Sequence, residues 1–337
     1  MTILVSGGAG YIGSHMVHAL VDAGEPVVVL DNLSTGFRAA LPESVPLVVG
    51  DAGDQKLAAS IIDVHQVTAV IHFAGSIVVP DSLRDPLGYY QNNTMNTRAL
   101  MEAAVRGGVK QFIFSSTAAV YGNPIALPVR EDAMTRPMSP YGTSKLMSEI
   151  MLHDVAAAHD MRYVILRYFN VAGADPHLRT GQSTPAATHL IKVGIETALG
   201  MRAKLDVYGT DYPTPDGTCI RDYIHVSDLA RAHSAALAHL RRGGPAMTFN
   251  CGYGHGYSVL EVISAIERVS GRRLPVQMVD RRPGDPASIV ADVSRIRSTL
   301  DWTPQFEDLD TIVSHAIAWE QRLQATRRAE ERETIPA

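Results

Sequence analysis

Six apolar runs limit what this chain can become: "TILVSG" (2–7), "PVVVLD" (26–31), "VPLVVGD" (45–51), "VTAVIHFAG" (67–75), "KQFIFSS" (110–116) and "RYVILRYFN" (162–170). They are rich in Val, Ile and Phe and do not alternate with polar residues. Such runs suit strands covered on both faces, as in parallel sheets. Segments 11–23, 54–64, 82–107 and 139–160 read as helices between them. Strand and helix in alternation predict an α/β fold, a doubly wound parallel sheet of Rossmann type. After Asn170 the pattern changes. Segment 171–185 is rich in Gly, Pro, Asp and Thr and reads as loop; a helix near 186–200, a short strand "KLDVYG" and the turn-rich "TDYPTPDGT" (210–218) follow. The expected organisation is a sheet domain over 1–178 and a smaller mixed α/β domain over 179–337, with about 220–255 returning to the first.

Composition narrows the class of function. Of 337 residues, 46% are hydrophobic and 19% charged, ordinary for a soluble globular enzyme. A net charge of -5 leaves no basic field for nucleic acid. The apolar runs are strand-sized, so no membrane span is expected. The opening "MTILVSGG" is already strand and turn, not a targeting segment. Cys219 and Cys251 are too few for a disulfide framework, which points to a reducing, cytoplasmic setting. The 13 histidines are scattered without metal-ligand spacing, so no metal is expected.

The loop "VSGGAGYIGSH" places Gly7, Gly10 and Gly13 between the first strand and the first helix. Glycines there let the backbone approach a pyrophosphate, which then rests on the helix N-terminus. Asp31 closes the second strand, about twenty residues on, where a carboxylate accepts hydrogen bonds from a ribose diol. A carboxylate at that point repels a 2'-phosphate, so the expected cofactor is NAD rather than NADP.

In "SPYGTSKLMSEI" (139–150), Tyr141 and Lys145 stand four residues apart and meet on one helix face. An ammonium near a phenol favours the phenolate and lowers its pKa, making a general base available near neutral pH.

With the glycine loop, "FIFSSTAAVYG" (112–122) and "YGTSK" in this order, the chain resembles the extended short-chain dehydrogenase/reductase superfamily. Within it the UDP-glucose 4-epimerase family is most similar, through "DNLS", "VIHFAG", "YYQNN", "LRYFNVAGA", "TDYPTPDGTCIRDYIHVSDLA" and "RRPGD". The resemblance implies that Tyr11, Ile12, Asp31, Asn32, Asp51, Ala52, Phe73, Ala74, Gly75, Asn92, Ser115 and Phe169 line the NAD site beside the three glycines. It makes Tyr141 the catalytic base, Lys145 its partner on the nicotinamide ribose, and Thr117 a hydroxyl near the sugar O4. Asn170, His189, Leu190, Val207, Tyr208, Arg221, Arg282, Asp285 and Ile289 fall at substrate positions. Two arginines suit a diphosphate through bidentate pairing. Two positions depart from the pattern: Ile77 stands where certain bacterial relatives have lysine, and His189 where asparagine is frequent. A homodimer through the helices at 82–107 and 139–160 is likewise implied.

The implied reaction interconverts UDP-galactose and UDP-glucose. Tyr141 takes the 4-OH proton while NAD takes the C4 hydride, and the 4-keto sugar turns before hydride returns to its other face. Sugar-nucleotide dehydratases need an acid and a base after the Ser/Thr, and here those positions are Ala118 and Ala119. The alternatives are 4-epimerisation of another UDP-sugar (UDP-GlcNAc or UDP-GalNAc, a UDP-pentose or a UDP-uronate) and a non-catalytic NAD-binding regulator. Ile289, four residues after Asp285, is expected either to flank the sugar's C2 side or to pack as a core strand residue.

Overall fold

Neighbouring residues of each apolar run feed two different cores. Ile3 and Val5 face one side of a sheet and Leu4 the other; Ala69 and Ile71 oppose Val70, and Ile113 opposes Phe112 and Phe114. All of these are buried, which explains why the runs lack alternation. The computed structural model describes residues 1–185, 187–282 and 284–333.

The runs form β1 (Thr2–Ser6), β2 (Val27–Asp31), β3 (Leu47–Val49), β4 (Val67–His72), β5 (Gln111–Thr117) and β6 (Arg162–Tyr168). With the strand Met247–Cys251 they make one parallel sheet. Its order is Met247–Cys251, β6, β5, β4, β1, β2, β3. The direction of winding reverses between β1 and β4, and ligands of doubly wound sheets bind at the carboxyl ends of such strands. The expected α/β Rossmann architecture is the one observed.

Several boundaries differ from the sequence reading, each for a local reason. The third run shrinks to Leu47–Val49 because β3 is an edge strand, with Val49 61% exposed. The sixth run breaks after Tyr168, and Asn170–Ala172 leaves the main sheet to pair in parallel with Tyr223–His225. The segment expected as one helix over 82–107 is four pieces: Val79–Arg84, Pro86–Tyr89, a π-helical turn Tyr90–Met95 and Asn96–Arg106. Asp85 caps the second piece, its carboxylate accepting from the Gly88 N–H at 2.9 Å, and Pro86 cannot donate into the piece before it. The helix expected near 186–200 spans Leu190–Ala198; residue 186 lies outside the described residues.

Beyond β6 the chain passes between two bodies of structure. The helix Val226–Arg241 packs against the helix Tyr11–Asp22 and the sheet, and Met247–Cys251 takes the edge beside β6. Smaller pairings hold the rest: Leu205–Tyr208 lies parallel to Val276–Val279, and Ile220–Arg221 sits between Tyr257–Ser258 and Ser288–Ile289. Among the described residues, no helix is long and apolar enough to cross a membrane.

Candidate active site

The glycine loop has no room for side chains. A Cβ on Gly7, whose φ is +73°, would lie 2.5 Å from the Ala74 nitrogen, and one on Gly13 would lie 2.1 Å from the Gly7 carbonyl oxygen. Gly10 stands at the N-cap of the helix Tyr11–Asp22 and offers its first turn no side-chain cap. Those N–H groups are left for an anion. Asp31 closes the cradle from β2: its carboxylate accepts from the Ala9 N–H at 2.9 Å and the Leu33 N–H at 2.8 Å. The Tyr11 hydroxyl turns away and donates to the Gly173 carbonyl at 2.7 Å, while Ile12 packs against the core. The loop therefore fits a dinucleotide pyrophosphate.

The neighbouring strand ends continue this surface. Phe73 and Ala74 both donate backbone N–H to the Ser6 carbonyl, which lays them across the end of β1. Asn92 donates to the Ser76 hydroxyl at 2.8 Å. At the outer end of β2, Asp51 accepts from Asn96 at 2.8 Å and Asn32 at 3.5 Å, and Ala52 is buried beside it. Phe169 is nearly buried where β6 ends.

The helix Pro140–Ala158 carries the chemistry. Ser139 caps it, accepting from the Gly142 N–H at 3.2 Å, and Pro140 occupies its first turn, so Tyr141 is fixed at its head. Lys145 is 3% exposed and donates to the Ser115 carbonyl at 3.1 Å. A Cβ on Gly75 would come within 3.4 Å of its Nζ, so the ammonium faces the cofactor side of the loop after β4. Burial pushes the Lys145 ammonium down to about 8, opposed by the Glu149 carboxylate. The sequence reading expects a lowered Tyr141 pKa. Instead, burial raises the Tyr141 phenol above its ordinary value, and only the Thr117 hydroxyl, bonded to it, pulls the other way. The reason is geometric: Lys145 spends a proton on a strand carbonyl rather than on the phenol.

A second group lies beyond the main sheet. Arg221 donates to the Ile220 carbonyl at 2.9 Å and approaches the Asp285 carboxylate at 3.9 Å. Its sequence neighbour Asp222 is taken up by the backbone N–H groups of Tyr253, Gly254 and Ala291, which leaves Arg221 available to a ligand. The Asp222 carbonyl accepts from the Asn170 N–H at 2.9 Å, tying Arg221 to the end of β6. Arg282 stacks on Tyr208, its guanidinium carbon 3.7 Å from the ring centroid. His189 and Leu190 open the helix Leu190–Ala198, whose N-terminus also has no side-chain cap. Two expected substrate positions present little side chain: Val207 is 1% exposed and Ile289 6%, both within the core. Ile77, 51% exposed, offers no charge.

Sequence reasoning missed the scaffold beneath these residues. Asn93 accepts from the Ser76 N–H at 2.7 Å and donates to the Ser76 carbonyl at 2.9 Å and the Ser144 hydroxyl at 3.0 Å. It locks the loop after β4 to the catalytic helix. The consecutive polar residues of "NNT" (92–94) in an otherwise helical stretch are the signal for the π turn that permits this.

Fold and site together define a Rossmann-type, NAD-dependent enzyme. Residues 3–252 match the NAD dependent epimerase/dehydratase family. A UDP-glucose 4-epimerase of Azospirillum brasilense is 59% identical over 322 residues, covering 96% of this chain and 92% of the relative. The solved UDP-Glc/GlcNAc 4-epimerase from Campylobacter jejuni is 46% identical with a TM-score of 0.83, covering 95% of this chain and 99% of that one. The solved UDP-glucose 4-epimerase from Brucella ovis in complex with NAD is 44% identical with a TM-score of 0.91, covering 94% and 97%. The chain belongs to the NAD dependent epimerase/dehydratase family.

Proposed function

We propose that this protein interconverts UDP-galactose and UDP-glucose by transient oxidation at C4. The observation that carries the reading is the half-buried Tyr141 phenol joined to Thr117, with Lys145 one turn along the same helix against Gly75. The glycine loop, Asp31, Asn92 and Lys145 would hold NAD, which when bound supplies a hydride acceptor and donor. Tyr141 takes the proton of the 4-OH group and gives it back after the sugar has turned. Thr117 keeps that oxygen at the phenol and favours the phenolate, while Lys145 faces the nicotinamide ribose. Arg221, Arg282 and the open N-terminus of Leu190–Ala198 grip the diphosphate. Among the described residues no comparable charged set is assigned to the hexose, so the sugar is free to present either face.

Residues 1–178 carry the cofactor and 179–337 the UDP-sugar, with 220–255 bridging them. Leu83, Leu87, Met95, Met147 and Ile150 are exposed on adjoining helices (52%, 78%, 48%, 43% and 52%). That apolar surface supports a homodimer through these helices. Two buried free thiols, Cys219 and Cys251, support a cytoplasmic setting.

Product analysis of the purified protein with a panel of UDP-sugars, without added cofactor, tests the reading. Conversion of UDP-galactose to UDP-glucose is expected; turnover of another UDP-sugar alone would transfer the assignment to that sugar.

A further inference from the structure

Three consecutive residues of β5 engage three residues spaced by four along the catalytic helix. The Thr117 hydroxyl meets the Tyr141 phenol, the Ser115 carbonyl accepts from Lys145, and the Ser116 hydroxyl donates to Glu149. Only the third contact lacks a role in the reaction described above. Glu149 is 1% exposed, and a carboxylate that deep needs a partner. Arg167 on β6, itself 6% exposed, provides it: Nε lies 3.0 Å from one carboxylate oxygen and Nη2 2.6 Å from the other. Arg167 is held in turn, donating to the Tyr121 hydroxyl at 3.0 Å and the Glu131 carbonyl at 3.1 Å. Tyr121 donates to Asn250 at 2.6 Å. The carboxylate is therefore fixed in place, one helical turn beyond Lys145.

We propose that Glu149 is a positioning residue: clamped by Ser116 and Arg167 one turn along the helix, it fixes the charge of Lys145. The inference rests on the roles given to Tyr141 and Lys145 above. A core could bind Arg167 with Glu149 anywhere along the helix, but here the pair ends one turn beyond the ammonium. Glu149 thereby supplies the one carboxylate among the causes that act on Lys145. The other titratable groups facing this cluster are His72 from β4, Tyr163 and Tyr168 from β6, Tyr121 after β5, and Glu131, whose carbonyl accepts from Arg167. Burial keeps His72 neutral and the three phenols protonated at neutral pH, and Glu131 is paired with Arg295 at 3.5 Å, so the charges nearest the catalytic helix are Lys145, Glu149 and Arg167.

The sign of the charge decides the test. Glu149→Gln removes a negative charge, which makes Lys145 give up its proton more readily. The limb of the kcat profile that reports Lys145 should move to lower pH by roughly one unit or more. Arg167→Met removes a positive charge and should move that limb to higher pH. The double variant Glu149→Gln/Arg167→Met should return near the parent profile. A purely structural pair would lower rates or stability without opposed shifts. If Glu149→Gln does not fold, Arg167→Met decides alone, since Glu149 keeps its Ser116 bond there. An unmoved limb, or shifts of the same sign in both single variants, overturns the inference. Tyr141→Phe is assayed beside them: an active Tyr141→Phe refutes the base assignment itself, whereas an inactive one together with an unmoved limb in the single variants refutes only the role of Glu149.

Discussion

Lys145 gives one of its protons to the Ser115 carbonyl, 3.1 Å away on the strand that also carries Thr117. The bond places the ammonium, yet burial still pushes it down to about 8 from its ordinary 10.5. Between those values the unfolded chain holds more protons than the folded one, so stability rises with pH from about 8 to 10.5. Below about 8 the cost of the buried charge is present in full, on the order of 3 kcal/mol. Lys145→Met should therefore flatten the rise of thermal stability over this window while slowing turnover and weakening NAD retention together. Thermal melts at stepped pH, with cofactor release measured on the same samples, check both effects. A slope unchanged in the variant would contradict the assigned burial of charge.

Tyr141→Phe keeps the ring and its edge-on contact with Tyr89, whose centroid is 6.4 Å away, and removes only the hydroxyl. Binding of NAD and UDP-sugar should persist, while turnover falls by about 10²–10⁴-fold. Steady-state rates and UDP-sugar titrations separate the two. Near-normal epimerisation would remove Tyr141 from the mechanism.

Arg282 lies over Tyr208, whereas Arg221 comes from the strand beside Ile289, and the proposed function assigns both to the diphosphate. Arg282→Met should raise KM for UDP-galactose by roughly 10–100-fold, the worth of a charge-assisted hydrogen bond, with a smaller change in kcat. A loss confined to kcat would mean that Arg282 acts on the hexose rather than on its handle.

Ile289 sits in register with Arg221 yet is only 6% exposed. Ile289→Cys gives up core packing, costing about 1 kcal/mol of stability, and opens space next to the sugar if Ile289 flanks its C2 side. The kcat/KM for UDP-GlcNAc should then rise relative to UDP-galactose, within the roughly 10–200-fold that a few methylene-sized groups can discriminate. No gain would make Ile289 a core residue alone.

Much of this was legible before the structure, because the relevant signals are local. Gly7, Gly10 and Gly13 read as a phosphate loop because they stand between a strand and a helix, and Tyr141 with Lys145 read as a pair from helical periodicity. What was hidden depends on partners distant in sequence. The polar run at 92–94 marks the turn but does not name Ser76 and Ser144 as the partners of Asn93, and nothing near Lys145 shows that it will choose the Ser115 carbonyl over the phenol. The rise in the Tyr141 pKa has the same origin, since burial is a property of the assembled site. Val207 and Ile289 look like pocket residues by position, and only packing shows how little of either is exposed.

In the proposed reaction the C4 hydrogen leaves as hydride and returns to the same sugar. UDP-galactose carrying deuterium at C4 should give UDP-glucose that keeps the label at C4 when the reaction runs in ordinary water. Mass spectrometry and NMR of the product read this directly. Retention is the predicted result; exchange of the label with solvent would contradict the account.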